Sequence, residues 1–107
     1  MQFDIRWADL NPVIGREQAG HRPVLILSND IENIMEIVTV IPITSRKKGR
    51  RIYPNEVAFT LEGKEAILLC HQIRTLSKRR IGKKIASLDS RIRHRVIQTV
   101  CRRFEVQ

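Results

Sequence analysis

The feature that most constrains this chain is the way its apolar residues are grouped. They come in short runs, each cut off by proline, glycine or a cluster of charges, until the C-terminal segment, where the spacing changes. FDIRW (3–7), VLILSN (24–29), IVTVIPIT (37–44), EVAFT (56–60), EAILLCHQIRTL (65–76) and KKIASL (83–88) are rich in β-branched or aliphatic residues, and most are too short for helices. In the first run Ile5 and Trp7, with Phe3, alternate with polar residues, the period of a half-buried strand. The segment NPVIGREQAGHRP (11–23) holds two prolines and two glycines and reads as a long loop. Pro23 closes it and opens the next strand, where a missing N–H removes no ladder bond. Asp30 is placed to cap a short turn through Ile34. The run 37–44 reads as a central strand with Pro42 near its end. RKKGRRIYPN (46–55) is a basic loop, and the turn LEGK joins EVAFT to EAILLCHQIRTL as a hairpin.

From Asp89 or Ser90 onward the period becomes helical. Ile92, Val96, Ile97, Val100, Cys101 and Phe104 share one face, and the arginines at 91, 93, 95, 102 and 103 fall mostly off it. Strands followed by one helix predict a mainly β fold: a small antiparallel sheet or barrel with a C-terminal helix packed on it. The 107 residues make one domain over 1–107, with a core small enough that a partner subunit would add stability.

Charge is distributed unevenly. Residues 1–45 carry three basic and six acidic side chains, whereas residues 46–107 carry seventeen basic and five acidic, in blocks at 46–51, 74–84 and 91–103. A cationic surface of this strength attracts polyanions through counterion release, so nucleic acid or an acidic protein is the expected partner. No apolar run reaches the roughly 18 residues of a membrane span, and no leader-like segment opens the chain. Cys70 and Cys101 both sit in apolar runs with no CxxC pairing and read as reduced core residues of a cytoplasmic protein.

The sequence lacks a phosphate-binding glycine loop, a GxSxG elbow, an HExxH helix and zinc-ligand spacing, and its histidines at 21, 71 and 94 are far apart. No metal site and no cofactor are expected. A basic protein of this kind can still cleave RNA, because RNA carries its own nucleophile. The 2′-hydroxyl attacks the adjacent phosphorus, and the protein has to position the backbone, stabilise added negative charge and handle two protons. DNA, without that hydroxyl, is excluded from this route.

Four segments in series give the chain a family resemblance: DIRWADLNP, GREQAGHRPVLILSND, IPITS and ILLCHQIRTLSKRRI, spanning residues 3–88. In order and spacing they resemble the MazF/PemK toxins of toxin–antitoxin modules. The resemblance implies an SH3-like antiparallel barrel (CcdB/MazF-like) with added helices, and a homodimer. It also implies sequence-specific cleavage of single-stranded RNA and neutralisation by a cognate antitoxin with an acidic, disordered tail. Carried over by position, the essential residues are Arg22, in HRP, and Thr44, in PIT. An arginine can clamp a phosphate with its planar fork but stays protonated, so Arg22 is assigned to transition-state charge. Thr44 would hydrogen-bond phosphate and orient the 2′-hydroxyl. By residue type alone, Arg22 is equally a surface ion-pair residue and Thr44 a β-propensity choice. Glu17, Gln18, Ser45, His71 and Gln72 match the same motifs and are candidate substrate contacts.

The chain departs from the family pattern at Phe3, where glycine is usual, at Arg6, where an apolar residue is common, and at His71, where an acid is common. A histidine there is either a hydrogen-bonded strand-end residue or a group able to move a proton near neutral pH. Two other classes stay open: a gyrase-binding inhibitor of the same fold, whose relatives share a C-terminal Trp-Gly-Ile absent here, and a catalytically weak nucleic-acid- or ribosome-binding module.

Overall fold

A computed structural model describes residues 1–107. Seven strands and one helix follow one another: β1 (Asp4–Asp9), β2 (His21–Ile26), β3 (Ile37–Ser45), β4 (Glu56–Leu61), β5 (Lys64–Leu69), β6 (Arg74–Ser77), β7 (Ile81–Ser87) and α1 (Ser90–Arg102). Short 3-10 turns lie at Glu32–Ile34, Cys70–Gln72 and Lys78–Arg80. Every pairing is antiparallel, in the order β4-β5-β3-β2-β1-β7, with β6 joined to β3.

The curl of the sheet comes from β3. On one edge β3 pairs first with β6 (Val38 opposite Leu76) and then with β5 (Thr44 opposite Ile67), and β2 lies along its other edge. It therefore belongs to two sheets that diverge along its length. Both faces of the central strands are covered. Ile5, Leu25, Ile41, Ile43, Leu68 and Val96 fill one apolar cluster, and Ala8, Leu10, Val24, Ile26, Val40 and Leu76 fill another. On β2 and β3 neighbouring residues thus point into different cores, which is why VLI and VIPI are apolar without a break.

Several sequence expectations change in detail. The run EAILLCHQIRTL is two strands, not one, because the 3-10 turn at Cys70–Gln72 interrupts it. Pro23 is the third residue of β2, not its first. Asp30 does not cap the turn through Ile34; the Asn29 side chain accepts from the Glu32 N–H at 3.0 Å, and Asp30 instead receives the Gln2 N–H at 2.9 Å and the terminal amine at 3.1 Å. The period-two reading of FDIRW breaks at Trp7, which is 40% exposed while Ile5 and Ala8 are buried. The register with β7 shifts twice along this stretch, between Ile5 and Arg6 and between Arg6 and Ala8, and such bulges re-aim side chains.

The turn between β4 and β5 follows its chemistry. Glu62 and Gly63 both have positive φ, 51° and 78°, the geometry of a two-residue hairpin turn matched to strand twist. The helix begins where expected, with the Asp89 carboxylate accepting the Arg91 N–H at 2.9 Å. Its buried face is narrower than the sequence suggests. Val96, Thr99 and Val100 are buried and Ile92 packs beside them, but Cys101 is exposed and Phe104 lies past the helix end, 67% exposed. The face against the sheet centres on 92–96–99–100, and Cys101 is turned away from it. Cys70 is buried, and neither cysteine forms a disulfide.

Candidate active-site cleft

The β2–β3 ladder ends at Val24 opposite Pro42. The Leu27 N–H donates to the Thr39 carbonyl, so in this register Pro23 is the next residue of β2 beyond Leu25 due to donate toward β3, and it has no N–H with which to continue the ladder. Carrying the register two residues beyond Val24 and Pro42 sets Arg22 opposite Thr44. Between the strand ends lies a cleft of about 370 Å³. Arg22 and Pro23 form one wall, Ile43, Thr44 and Ser45 another, and the β4–β5 hairpin end supplies Glu62, Lys64 and Glu65. Two residues from distant sequence positions are thus brought to one opening by rigid strands, the kind of support a positioned site requires.

Arg22 is exposed and forms no ion pair; its Nε donates to the Ala19 carbonyl at 3.2 Å, which leaves its terminal nitrogens free of other protein partners. Locally the cleft is mixed in sign: Arg22 and Lys64 face Glu62 and Glu65. Arg46 approaches Glu65 to 3.9 Å, and a recess continuous with the cleft adds Lys48. Excess positive charge therefore gathers on the side of the basic loop.

Gln72 and Gln18 are brought together, but through the loop backbone. The Gln72 side-chain oxygen accepts the Gln18 N–H at 2.7 Å and so ties the 11–20 loop to the Cys70–Gln72 turn. Glu17 acts inside the loop, where its carboxylate accepts the Ile14 N–H at 3.0 Å. Arg74 steadies the loop's start by donating to the Leu10 carbonyl at 3.2 Å.

His71 departs from the expected grouping. It lies in a different recess, with Arg50, Tyr53 and Glu56, and not in the cleft of Arg22 and Thr44. Its Nδ1 is buried with no hydrogen-bond partner, so the expectation of a satisfied strand-end histidine also fails. Adjacent residues on a tight 3-10 turn point apart, which sends His71 and Gln72 to opposite surroundings. Three charged residues of the cleft carry no site signal in the sequence: Glu62, Lys64 and Glu65. The only signal for them was the LEGK turn, and it carries no information about what the hairpin end faces. No group of three or more His, Cys, Asp or Glu side chains comes together as a metal site.

This half-barrel sheet, with its cleft at the splayed ends of two strands, matches a known class. The sequence model of PemK-like, MazF-like toxins of type II toxin–antitoxin systems matches residues 1–104, and the chain belongs to that family. Endoribonuclease EndoA of Bacillus subtilis (strain 168) is 33% identical over 97 residues, covering 87% of this chain and 84% of that protein. A crystal structure of MazF from Deinococcus radiodurans is similar with a TM-score of 0.78 at 30% identity, over 92% of this chain and 89% of its own. The fold is also shared, at a TM-score of 0.79 and 19% identity, with an endoribonuclease from a mycobacterial species solved with its cognate antitoxin, over 100% of this chain and 98% of the other. No helix is long and apolar enough to cross a membrane.

Proposed function

We propose that this toxin is an endoribonuclease that cuts single-stranded RNA at a short sequence without a metal ion, through the cleft where Arg22 faces Thr44. That opposition is the observation carrying the reading. The 2′-oxygen of the substrate forms a bond to the adjacent phosphorus, and the bond from phosphorus to the 5′-oxygen breaks. The products are a 2′,3′-cyclic phosphate and a 5′-hydroxyl. The 2′-hydroxyl gives up a proton and the departing 5′-oxygen gains one. Arg22 stays protonated, so it serves the charge that accumulates on the phosphoryl oxygens, using the terminal nitrogens that the protein leaves free. The Thr44 hydroxyl orients the phosphate and the 2′-hydroxyl. Ser45, beside it, is a further phosphate donor. Glu62 and Glu65 are the carboxylates on the cleft wall able to accept the proton. Gln18, Glu17 and Gln72 act by holding the loop over the substrate, with Gln72 as a positioning residue.

An antitoxin completes the reading. The Deinococcus and mycobacterial relatives have been solved with their antitoxins, and a partner with an acidic tail complements the excess of base in residues 46–107. The exposed apolar side chains of Ile31, Ile34, Met35 and Ile37 support coverage by a second subunit or by the antitoxin.

The test is cleavage of a long, structure-poor RNA in EDTA by wild type, Arg22→Ala and Thr44→Ala. Wild type is expected to cut at a recurring short sequence and leave 5′-hydroxyl ends, with each variant slower by about a hundredfold or more. Cutting that needs added metal, or that survives both substitutions, overturns the reading.

A further inference from the structure

A second groove, of about 390 Å³, lies between the 51–54 loop and α1. Its walls carry Arg51 and Tyr53 from the loop and Arg95, Thr99 and Arg102 from the helix. Arg95, Thr99 and Arg102 are spaced by four and then three residues, so they line one helical stripe. Arg51, Arg95 and Arg102 take part in no ion pair. The acid of the groove, Glu56, is already gripped by Arg50 at 2.9 Å through both oxygens. The Thr99 hydroxyl donates to the Arg95 carbonyl at 2.8 Å, so it is occupied within the helix. What the groove offers is three uncompensated guanidinium groups and one aromatic ring. Tyr53 is 51% exposed, with the Arg51 guanidinium 5.6 Å from its ring centre.

Unpaired cations beside a half-exposed aromatic ring are the elements of a single-strand nucleic-acid groove. An acidic peptide would neutralise the arginines but leave the Tyr53 face unused, and only Ile52 and Pro54 offer it apolar anchorage. Continuity with the cleft favours RNA as well. The loop carrying Arg51 and Tyr53 starts from Ser45 in the cleft wall, and its first residues, Arg46 and Lys48, line the recess next to the cleft. Arg51 is six steps along the chain from Ser45, which limits the distance between them to about 20 Å. A strand leaving the cleft along this loop stays on positive charge throughout.

We propose that this groove binds single-stranded RNA flanking the cut site, with phosphates on Arg51, Arg95 and Arg102 and a base stacked on Tyr53. The proposal rests on the endoribonuclease reading above and names a second substrate contact for it, outside the cutting cleft.

The experiment compares two kinds of RNA made uncleavable by a 2′-deoxy nucleotide at the cut position: the mapped cut sequence alone, and that sequence extended on each side in turn. Full-length wild type, the triple variant Arg51→Gln/Arg95→Gln/Arg102→Gln, Tyr53→Ala and Tyr53→Phe are titrated with each, and their oligomeric mass is measured. The expected result is that the triple variant and Tyr53→Ala bind one extended RNA about tenfold or more weakly while the short RNA is bound as by wild type. Tyr53→Phe keeps the stacking face and restores binding. The triple variant also lowers the salt dependence for the extended RNA by about 0.7 per lost phosphate contact. Equal weakening of both RNAs, or of neither, overturns the proposal. So does a changed oligomeric mass in the variants, which makes the groove a subunit contact. Loss of polyglutamate binding with RNA binding intact makes it a peptide site and overturns it too. If wild type cuts no RNA, the endoribonuclease reading falls separately, and titration with a long oligouridylate still decides whether the groove binds a strand.

Discussion

Arg50 holds the carboxylate of Glu56 in a two-pronged grip, Nη1 and Nη2 each 2.9 Å from an oxygen, and the Tyr53 N–H adds a third bond at 3.0 Å. Glu56 is the first residue of β4 and is 6% exposed, so the pair sets where the basic loop rejoins the barrel. The Arg50 hydrogen bonds hold the Glu56 carboxyl below its ordinary value of 4.5, against the opposing effect of burial. A depressed carboxylate contributes its stability fully above the unfolded-state value and loses it as the pH falls through the folded-state value. Arg50→Met is therefore expected to lower Tm by several degrees at about pH 7, and the gap to wild type should shrink toward about pH 3. Melting curves across that window check it; a gap that does not change with pH counts against the pair.

Gln72 is expected to matter through the loop it tethers. Gln72→Ala removes the acceptor of the Gln18 N–H, which should speed amide exchange across residues 12–20 and raise KM more than it lowers kcat. Gln72→Glu retains an oxygen at the same place and should restore most of the protection. Hydrogen exchange read by mass spectrometry separates this from a direct base contact, which would leave the loop's exchange unchanged.

Lys64 lies on the cleft wall with Arg22, on the strand after the hairpin turn. As a free cation beside the phosphate path, it should act on binding more than on chemistry. Lys64→Ala is expected to raise KM several-fold at low salt and to reduce the salt dependence of kcat/KM by about 0.7, the share of one phosphate contact. An unchanged salt slope would remove Lys64 from the substrate path.

The two cysteines should differ sharply toward a thiol reagent. Cys101 is exposed, whereas Cys70 is fully buried and its thiol is pushed up to about 11 by that burial. One thiol per chain should react in the folded protein and both after denaturation. Two reactive thiols in the native state would mean that the turn Cys70–Gln72 opens readily.

Much of this architecture was legible because strand and helix periods are local properties. The β4–β5 hairpin, the β3 strand and the Asp89 helix start could be read from a few neighbouring residues each. The segments holding Arg22 and Thr44 could be read from the family resemblance. Their opposition could not be read from periodicity, because period two assigns a face to a residue and not a partner across the ladder. That partner is set by the register at Val24 and Pro42. The misplacement of His71 has a similar origin: sequence adjacency to Gln72 says nothing about direction once a 3-10 turn intervenes. Helical period alone assigns Cys101 to the apolar stripe, which is wider than the contact the sheet offers. In α1 burial is set by the sheet surface beneath, which reaches Val96 and Val100 but not the next residue toward the C-terminus.

Pro23, which interrupts the β2–β3 ladder, bears on how this scaffold can be re-engineered. Arg22 and Thr44 sit on strands whose neighbouring residues fill two cores at once, whereas the 11–20 loop is held by a few polar bonds: the Gln72 side chain accepts the Gln18 N–H, and the Arg22 and Arg80 guanidiniums donate to the Ala19 and Asn11 carbonyls. Strands and loop are therefore held by different means. The loop can be exchanged as a cassette for that of a relative, provided that an acceptor remains opposite the Gln18 amide, and Arg22 and Thr44 should keep their places on the strands.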